Sequence, residues 1–348
     1  MKKKLIALIL ITISIIAILE YSLSNKETSN ILEDNYIETA VDNNTSAYVK
    51  IKYNTAILGK RAKENMGKKA YEFYKNILIP GVVNRDKEIK IPNGITEKEK
   101  SLITSYFQQN CPLEYFSGTP FFNVKGDTIM FDYSNCINLS NEEYKYEIDK
   151  LSTSIEQIIN TNVKKNYNYF ETILALYKYL SQSTTYNINA KSTDAYGVLV
   201  YNEGICGGFS QAMQILLAQL DLDEGYQVEW IPEGDDKDGH VWNALMIDGK
   251  WYYFDATWEN GTTDGNGLVY FAMDIDRRDL GELPRDEYTM CPLGLEIDMP
   301  NCYDDRFSIL QYCTYYNLDL DNHKLYFKNE EDNKWYSLNT ENLNINEK

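Results

Sequence analysis

The sequence contains very few histidines, and this scarcity limits the chemistry that it can support. Only His240 and His323 occur among 348 residues. The six cysteines form no Cys-x-x-Cys pair and no other short metal-ligand spacing, so we expect no metal site. A thiol nucleophile needs a neighbouring base to become a thiolate, and the two histidines are the candidates for that base.

Positive charge is also scarce, and the formal net charge is −18 at pH 7. Nonspecific binding to nucleic acid or to anionic lipid requires a basic surface, so neither partner is expected. The sequence has no P-loop and no Gly-x-Gly-x-x-Gly motif, and we expect no cofactor. A hydrophobic share of 43% with 13% aromatic residues instead indicates folded globular material over most of the chain.

Long apolar runs are absent except near the N-terminus, where three lysines precede the run from Leu5 to Leu19. This layout is typical of a secretory signal, and a helix of that length reaches about 22 Å of a roughly 30 Å hydrocarbon core. Residues 1–24 are therefore expected to be a cleaved signal peptide or an uncleaved membrane anchor. Because no cysteine precedes Cys111, a lipid anchor is excluded. Either way the protein is expected to be secreted or membrane-anchored, outside the cytoplasm.

Composition and periodicity divide the rest of the chain. Residues 25–45 are polar and aperiodic, which predicts a linker. Residues 46–160 predict an N-terminal α+β region with a hairpin in FFNVKGDTIMFDYS, and residues 161–290 carry the motifs of a catalytic core. Residues 291–348 predict a C-terminal extension that ends in a β-hairpin. The stretches EEYKYEIDKLSTSIEQIIN and NYFETILALYKYLSQ predict two amphipathic helices.

Cys206 lies in GICGGFS, where a loop turns into an apolar-striped helix. The helical spacing of the following apolar residues predicts a helix that begins near Gly207 or Gly208. A helix N-terminus favours a thiolate, and its free N–H groups can hold an oxyanion. The neighbouring glycines would let a substrate backbone approach closely. Alternatively, Cys206 is a small buried hydrophobe or half of a disulfide.

His240 begins a predicted hairpin, HVWNALMIDGKWYYFDAT, with its turn at Asp248-Gly249. In that register His240 lies opposite Thr257, and Trp242 lies opposite Asp255. His240 and Asp255 then share a face as diagonal neighbours, with backbones roughly 7–8 Å apart. A carboxylate at this position would fix the tautomer of the imidazole and stabilise the imidazolium. The spacing thus predicts a base and the group that orients it.

The remaining histidine and cysteines receive structural interpretations. His323 lies in LDLDNHKLYF, which predicts a solvated turn before a strand. An even number of cysteines in an exported protein permits disulfides, and Cys302–Cys313 is one possible pairing. If Cys206 is reserved for chemistry, at least one of the other five thiols stays free.

Three features near His240 have both a functional and a structural interpretation. The loop PEGDDKDG, residues 232–239, either attracts a cation or is simply solvated, and its spacing is not that of an EF-hand. Asn243 is expected on the other face of the hairpin, in a structural hydrogen bond. Four tryptophans either line an acyl-acceptor groove or belong to the core: Trp230, Trp242, Trp251 and Trp258.

The segments AYGVLVYNEGICGGFSQAMQILL and GHVWNALMIDGKWYYFDATW together resemble the bacterial branch of the transglutaminase-like superfamily. The matching pattern is a G-[VI]-C-x-G-[YF] turn, an H-x-W-N strand and a W-Y-x-x-D-x-T-W strand, in that order. The resemblance covers about residues 165–260 well and residues 46–164 more loosely. It implies an α+β, papain-like fold in which the nucleophile opens a helix packed on an antiparallel sheet. Carried over to this chain, Cys206 is the nucleophile, His240 the general base and acid, and Asp255 its orienting group.

The resemblance implies an enzyme that transfers acyl groups through a Cys206 thioester. The expected substrates are amide bonds of extracellular or cell-envelope proteins and peptides, either at glutamine side chains or in the backbone. An amine or water would resolve the thioester, and the sequence does not choose between cross-linking and hydrolysis. The alternatives are a catalytically inactive envelope scaffold that keeps the fold, and a disulfide-built extracellular domain.

Overall fold

The computed structural model describes residues 48–109, 120–134, 136, 139–230, 239–278, 288–291 and 302–348. All of them belong to one compact unit, Ser46–Lys348. The described helices are α1 (Lys60–Met66), α2 (Lys68–Phe73), α3 (Ile79–Val83), α4 (Glu97–Gln109), α5 (Asn141–Asn162), α6 (Tyr169–Ser183), α7 (Cys206–Gln219), α8 (Ala256–Thr263) and α9 (Ile275–Arg278).

The strands of the described ranges form four sheets. They are β1 (Glu88–Lys90), β2 (Phe121–Lys125), β3 (Thr128–Asp132), β4 (Thr185–Tyr186), β5 (Glu203–Gly204), β6 (Tyr226–Trp230), β7 (His240–Ile247), β8 (Lys250–Phe254), β9 (Tyr288–Cys291), β10 (Tyr316–Asp319), β11 (Lys324–Asn329), β12 (Lys334–Asn339) and β13 (Ile345–Glu347). Among the strands that the structure describes, only the short β4–β5 pair is parallel. Helices segregated beside antiparallel sheets make the fold α+β, as predicted.

The N-terminal region places α1 to α4 around a small sheet of order β1-β3-β2. Its hairpin pairs Lys125 with Thr128, so the two-residue turn is Gly126-Asp127, and Gly126 has a positive φ of 60°. The hairpin predicted in this segment is confirmed. The region has its own apolar cluster, which includes Phe73, Leu102 and Phe131.

Helices α5 and α6 are the two predicted amphipathic helices, and each begins with a capping box. Ser140 and Glu143 satisfy each other's backbone N–H groups at the start of α5, and Asn168 and Glu171 do so at the start of α6. Such reciprocal caps satisfy backbone donors that the first helical turn leaves unpaired. The two helix starts are therefore determined by short local motifs.

The central sheet has the order β8-β7-β6-β9 and is antiparallel throughout. Helix α7 packs on β7, and apolar residues of α5, α6 and α7 form one core with that sheet. The predicted arrangement, with Cys206 at the N-terminus of a helix that packs on an antiparallel sheet, is confirmed.

The β7–β8 hairpin has the predicted register, from Ile247 opposite Lys250 to Asn243 opposite Phe254. Asp248 and Gly249 both have positive φ, 51° and 73°, which is the geometry of a type I′ turn.

The ladder between β7 and β8 is shorter than predicted. Beyond Phe254 the chain leaves the sheet, because Asp255 becomes the N-cap of α8. Thr257 therefore lies in α8 and not opposite His240, and the prediction of a strand through Thr257 was wrong.

The C-terminal segment forms a meander of order β10-β11-β12-β13. The hairpin predicted near the C-terminus is present as β11 and β12, with Asn329 opposite Lys334. Phe307, Leu325 and Leu338 belong to the same apolar core as α5, α6 and α7. This sheet therefore shares its core with α7, the helix that begins at Cys206. The predicted domain boundaries stay predictions.

Three of the cysteines that the structure describes are free thiols, namely Cys206, Cys302 and Cys313. Cys302 packs with Trp242, whereas Cys313 lies in the larger core, so the Cys302–Cys313 pairing that the sequence left possible does not form. Burial raises the pKa of both thiols to about 12, which keeps them protonated and unreactive.

The N-terminal segment 1–24 and the linker 25–45 lie outside the described residues. Within the described ranges, no helix combines the length and apolar character that crossing a bilayer would require.

Candidate active site

Cys206 is the first residue of α7, one or two positions earlier than the sequence predicts. Ile205 precedes it in extended conformation, and no side chain caps the helix. The first backbone N–H groups of an α-helix have no acceptor within the helix. Because Cys206 is the first helical residue, these amides begin at the cysteine itself. Cys206 is 8% exposed and is a free thiol. The alternative that Cys206 forms half of a disulfide is therefore not supported.

The glycines around Cys206 have different roles. A Cβ on Gly208 would lie 2.6 Å from the carbonyl oxygen of Thr193, and one on Gly204 would lie 2.6 Å from a methyl carbon of Val198. These two glycines let neighbouring segments pass close to the start of the helix. A Cβ on Gly207 would meet no atom within 4 Å. The open approach that the sequence suggested for all three glycines is present at Gly207 alone.

His240 and Asp255 are in direct contact. Nε2 of the imidazole lies 2.6 Å from Oδ2 of the carboxylate, and both residues are buried. The other carboxylate oxygen, Oδ1, accepts the backbone N–H of Trp258 at 3.0 Å. Asp255 thus caps α8 with one oxygen and holds His240 with the other. The predicted neighbours meet even though Asp255 lies just beyond the end of β8.

Two indole rings enclose the imidazole of His240. Trp242 lies on one side at a centroid distance of 5.7 Å and an interplanar angle of 23°, and Trp258 lies at 5.0 Å and 19°. Trp242 is buried in the core, whereas Trp258 is partly exposed. The sequence did not predict this stacking, since it offered only core or acceptor-groove roles for the tryptophans. The HVW and DATW motifs placed both indoles within three residues of the predicted pair.

Hydrogen bonds join the first turns of α7 to β7. The hydroxyl of Ser210 donates to the carbonyl of Trp242 at 3.1 Å, and the side-chain amide of Asn243 donates to the carbonyl of Ser210 at 3.0 Å. The structural hydrogen bond predicted for Asn243 is therefore present. Ser210 lies one turn after Cys206, and Trp242 lies two residues after His240. The second turn of the helix, four residues after Cys206, is therefore bonded to the part of the strand that directly follows His240.

A second buried carboxylate, Glu259, supports the site and was missed by the sequence analysis. The hydroxyl of Tyr177 lies 3.0 Å from Oε2 of Glu259 and 3.2 Å from the carbonyl oxygen of Asp255. Glu259 also accepts the backbone N–H of Tyr270 at 2.8 Å, and burial raises its pKa. These bonds connect the first turn of α8 to α6, so the position of the Asp255 backbone is fixed as well as that of its side chain.

His323 lies away from this site, and its side chain is 27% exposed, so it is partly solvated, as the sequence predicts. It occupies a turn, with a positive φ of 53°, and its Nδ1 lies 2.6 Å from Oε1 of Glu171. The side chain of Glu171 is fully buried, and the hydroxyl of Thr340 also bonds to it. Hydrogen bonding to Glu171 raises the pKa of His323. His323 therefore connects the C-terminal sheet to the start of α6.

The acidic loop lies outside the described residues except for Gly239. Within the part of the chain that is described, no group of three or more His, Cys, Asp or Glu side chains is arranged to hold a metal ion.

Comparison with known proteins identifies the segment that carries the site. Residues 154–256 match the model of the transglutaminase-like superfamily. A search of the curated proteins returns no match. A solved structure described as a crystal structure of a TGase aligns at 16% identity and a TM-score of 0.25, covering 49% of this chain and 50% of that one, so this chain spans about half the length of that structure. Cys206, His240 and Asp255 all lie within the matched residues, so the segment that carries the site is similar to the transglutaminase-like superfamily.

Proposed function

We propose that this protein is a cysteine acyltransferase or hydrolase that attacks amide bonds of extracellular or cell-envelope proteins through a Cys206 thioester. The observation that carries the proposal is the buried His240–Asp255 contact of 2.6 Å, located where the first turns of α7 meet β7. A base with a dedicated orienting carboxylate, close to a thiol at a helix N-terminus, is the arrangement that thiol acyl transfer requires.

The tautomer of His240 follows from its partner. An ionised carboxylate can only accept hydrogen bonds, so Nε2 carries a proton and donates it to Oδ2 of Asp255. Nδ1 then has the lone pair and is the atom that exchanges a proton with the Cys206 thiol. Proton transfer from Sγ to Nδ1 gives a thiolate and an imidazolium, which Asp255 stabilises.

Acylation begins when the thiolate attacks the carbonyl carbon of an amide. The carbon–sulfur bond forms, and the negative charge moves to the carbonyl oxygen, which the amides of the first turn of α7 would hold. The carbon–nitrogen bond then breaks, and the leaving amine takes the proton from Nδ1 of His240. The products are a thioester on Cys206 and ammonia or an amine.

Deacylation reverses the proton path. His240 accepts a proton from the incoming amine or water as that nucleophile attacks the thioester, and the thiolate of Cys206 leaves. A lysine-type amine gives an isopeptide cross-link, whereas water gives deamidation or proteolysis. The open space at Gly207 supports access of a polypeptide to the start of α7. A net charge of −18 favours the approach of a cationic acceptor.

The test is the pH dependence of iodoacetamide alkylation at Cys206 in the full chain, followed by mass spectrometry. We expect fast labelling near pH 6 that slows at least about tenfold in His240→Ala. His323→Gln is the matched control, because it changes the only other histidine and should leave the rate unchanged. Labelling that rises only near pH 8.5 and ignores His240 would indicate an ordinary thiol, and the protein would then be an inactive scaffold.

A second experiment identifies the reaction. Incorporation of a fluorescent primary amine into a glutamine-containing protein would indicate transfer, and ammonia release without incorporation would indicate hydrolysis. Both signals should disappear in Cys206→Ala. Activity that persists in Cys206→Ala would contradict the proposal.

A further inference from the structure

The two indoles that enclose His240 differ in their surroundings. Trp242 is 1% exposed and lies on β7 within an apolar cluster, so its position follows from core packing. Trp258 is partly exposed and lies in the first turn of α8, where its indole is both closer to the imidazole and more nearly parallel to it. A large aromatic ring that covers a buried histidine from the accessible side calls for an explanation beyond core packing.

Trp258 is coupled to the His240–Asp255 pair at two points. Its indole stacks on the imidazole at 5.0 Å, and its backbone N–H donates to Oδ1 of Asp255 at 3.0 Å. The ring of Tyr270 meets the indole edge-on, at 5.5 Å and 81°, which restricts the indole from another direction. One residue therefore restricts the plane of the imidazole and the orientation of the carboxylate together.

The stacked geometry also discriminates between the two charge states of the imidazole. The face of an indole is the most electron-rich among the protein aromatics and attracts a cation that lies within about 6 Å of its centroid. A neutral imidazole lacks this attraction. Among the described residues, Asp255 meets the imidazole, Tyr270 meets the indole edge-on, and Glu259 accepts the backbone N–H of Tyr270. In the proposed reaction, Cys206 at the start of α7 supplies the proton. The indole consequently favours the state in which the proton of Cys206 has moved to His240.

We propose that Trp258 is a positioning residue for the thiol chemistry. Its indole holds the imidazole of His240 in the orientation that bonds to Asp255, and it stabilises the imidazolium of the reactive ion pair. This inference rests on the proposed function. It adds that the reactive fraction of Cys206 near neutral pH depends on the ring at position 258.

The experiment compares Trp258→Leu and Trp258→Phe with the wild-type full chain, by measuring the rate of Cys206 alkylation between about pH 5 and pH 10. Near neutral pH the reactive species is the thiolate–imidazolium pair, so Trp258→Leu should lower the rate by roughly 2- to 30-fold. Near pH 10 the imidazole is neutral and the thiol is ionised regardless, so the rate there should be unchanged. Trp258→Phe keeps an aromatic face and should retain most of the rate.

The controls separate this role from a structural one. Trp335→Leu changes a 44% exposed tryptophan on β12 and should leave the whole pH profile unchanged. Melting temperatures, followed by circular dichroism, verify that each variant is folded over the measured range. A wild-type rate in Trp258→Leu near pH 6, or an equal loss near pH 6 and pH 10, would overturn the proposal.

The failure of the proposed function has a different signature. In that case the wild-type protein itself lacks fast labelling near pH 6, and His240→Ala has the same profile as the wild type. If instead His240→Ala slows the labelling and Trp258→Leu does not, only the role of Trp258 is refuted.

Discussion

Replacing Asp255 with asparagine isolates one property of the site, because the substitution keeps the shape of the side chain and removes its charge. Asp255 has two bonds to satisfy: Oδ1 accepts the N–H of Trp258 at 3.0 Å, and Oδ2 meets Nε2 of His240 at 2.6 Å. Asparagine and aspartate are about equally good N-caps. The start of α8 should therefore survive the change.

The cap determines how the new carboxamide is oriented. The N–H of Trp258 needs an acceptor, so the carboxamide oxygen stays at the Oδ1 position and the NH₂ group turns towards His240. An NH₂ group donates its hydrogen bond, which requires a lone pair on Nε2 and moves the imidazole proton to Nδ1. Nδ1 is then unable to accept a proton from Cys206. In a Ser-His-Asp triad the corresponding wrong tautomer lowers the rate by about 10⁴, and we expect a loss of roughly 10²- to 10⁴-fold here.

Asp255→Ala provides the contrast in stability. It removes the N-cap, which costs about 0.5–2 kcal/mol, and it leaves a buried imidazole N–H without an acceptor, which costs about 1–3 kcal/mol. Urea denaturation should therefore show a free energy of unfolding lower by roughly 1.5–5 kcal/mol in Asp255→Ala. Asp255→Asn should stay within about 1 kcal/mol of the wild type.

The assay combines Cys206 alkylation near pH 6.5 with amine incorporation, measured on both variants and the wild type. The expected result is that both variants are inactive and that only Asp255→Ala is strongly destabilised. Activity within a few-fold of the wild type in Asp255→Asn would refute the tautomer argument. Equal destabilisation of the two variants would refute the assignment of Asp255 as the N-cap.

Three further predictions concern stability and access. Hydrogen bonding to Glu171 raises the pKa of His323. This bond therefore stabilises the fold fully below about pH 6.5, and its contribution is lost as the pH rises through the raised pKa. Thermal melts should show a larger drop in melting temperature for His323→Gln at pH 6 than at pH 9. Burial raises the pKa of Glu224 to about 7, and its Oε2 has no hydrogen-bond partner within the described residues. Ionisation of this carboxyl therefore destabilises the fold as the pH rises from about 4.5 through 7, and Glu224→Gln should raise the free energy of unfolding at pH 8 by up to about 3 kcal/mol, with little gain at pH 4.5. Gly208→Ala should destabilise the protein by roughly 1–3 kcal/mol because its Cβ would strike backbone oxygens, whereas Gly207→Ala has open space and should keep stability while slowing acylation by a protein substrate more than alkylation by iodoacetamide.

Each of these predictions has an outcome that contradicts it. A melting temperature of His323→Gln that falls equally at pH 6 and pH 9 would mean that the charge on the imidazole is irrelevant to its contact. A Glu224→Gln variant that is less stable than the wild type at pH 8 would show that the buried carboxylate is well solvated or paired. Equal stability of Gly207→Ala and Gly208→Ala would show that the segment at Thr193 does not lie against the helix start.

Local patterns in the sequence predicted much of the site. The Asp248-Gly249 turn and the alternation of β7 set the hairpin register, and that register brought His240 and Asp255 to the same end of the hairpin. The spacing of apolar residues after Cys206 predicted α7 to within two residues. Turn type, strand alternation and helical spacing depend on residues close together in the chain, which is why a sequence pattern can reveal them.

The same local reasoning failed where two signals competed. The alternation of β8 continued through Asp255 and predicted a strand as far as Thr257. Asp255 followed by Ala-Thr-Trp-Glu is also a helix start, and in the structure the helix forms because the carboxylate accepts the N–H of Trp258.

Tertiary structure alone decided the contacts between segments that are distant in the sequence. Glu171 and His323 are 152 positions apart, and nothing in the sequence near either residue indicates that they meet. Cys302 and Cys313 are close in the chain, yet they pack in different apolar clusters and stay free. Stacking of the Trp258 indole on His240 likewise depends on the angle at which α8 leaves the sheet. Such contacts follow from the packing of whole helices and sheets, whose relative placement is a sum of many weak apolar interactions and is not encoded in any short motif.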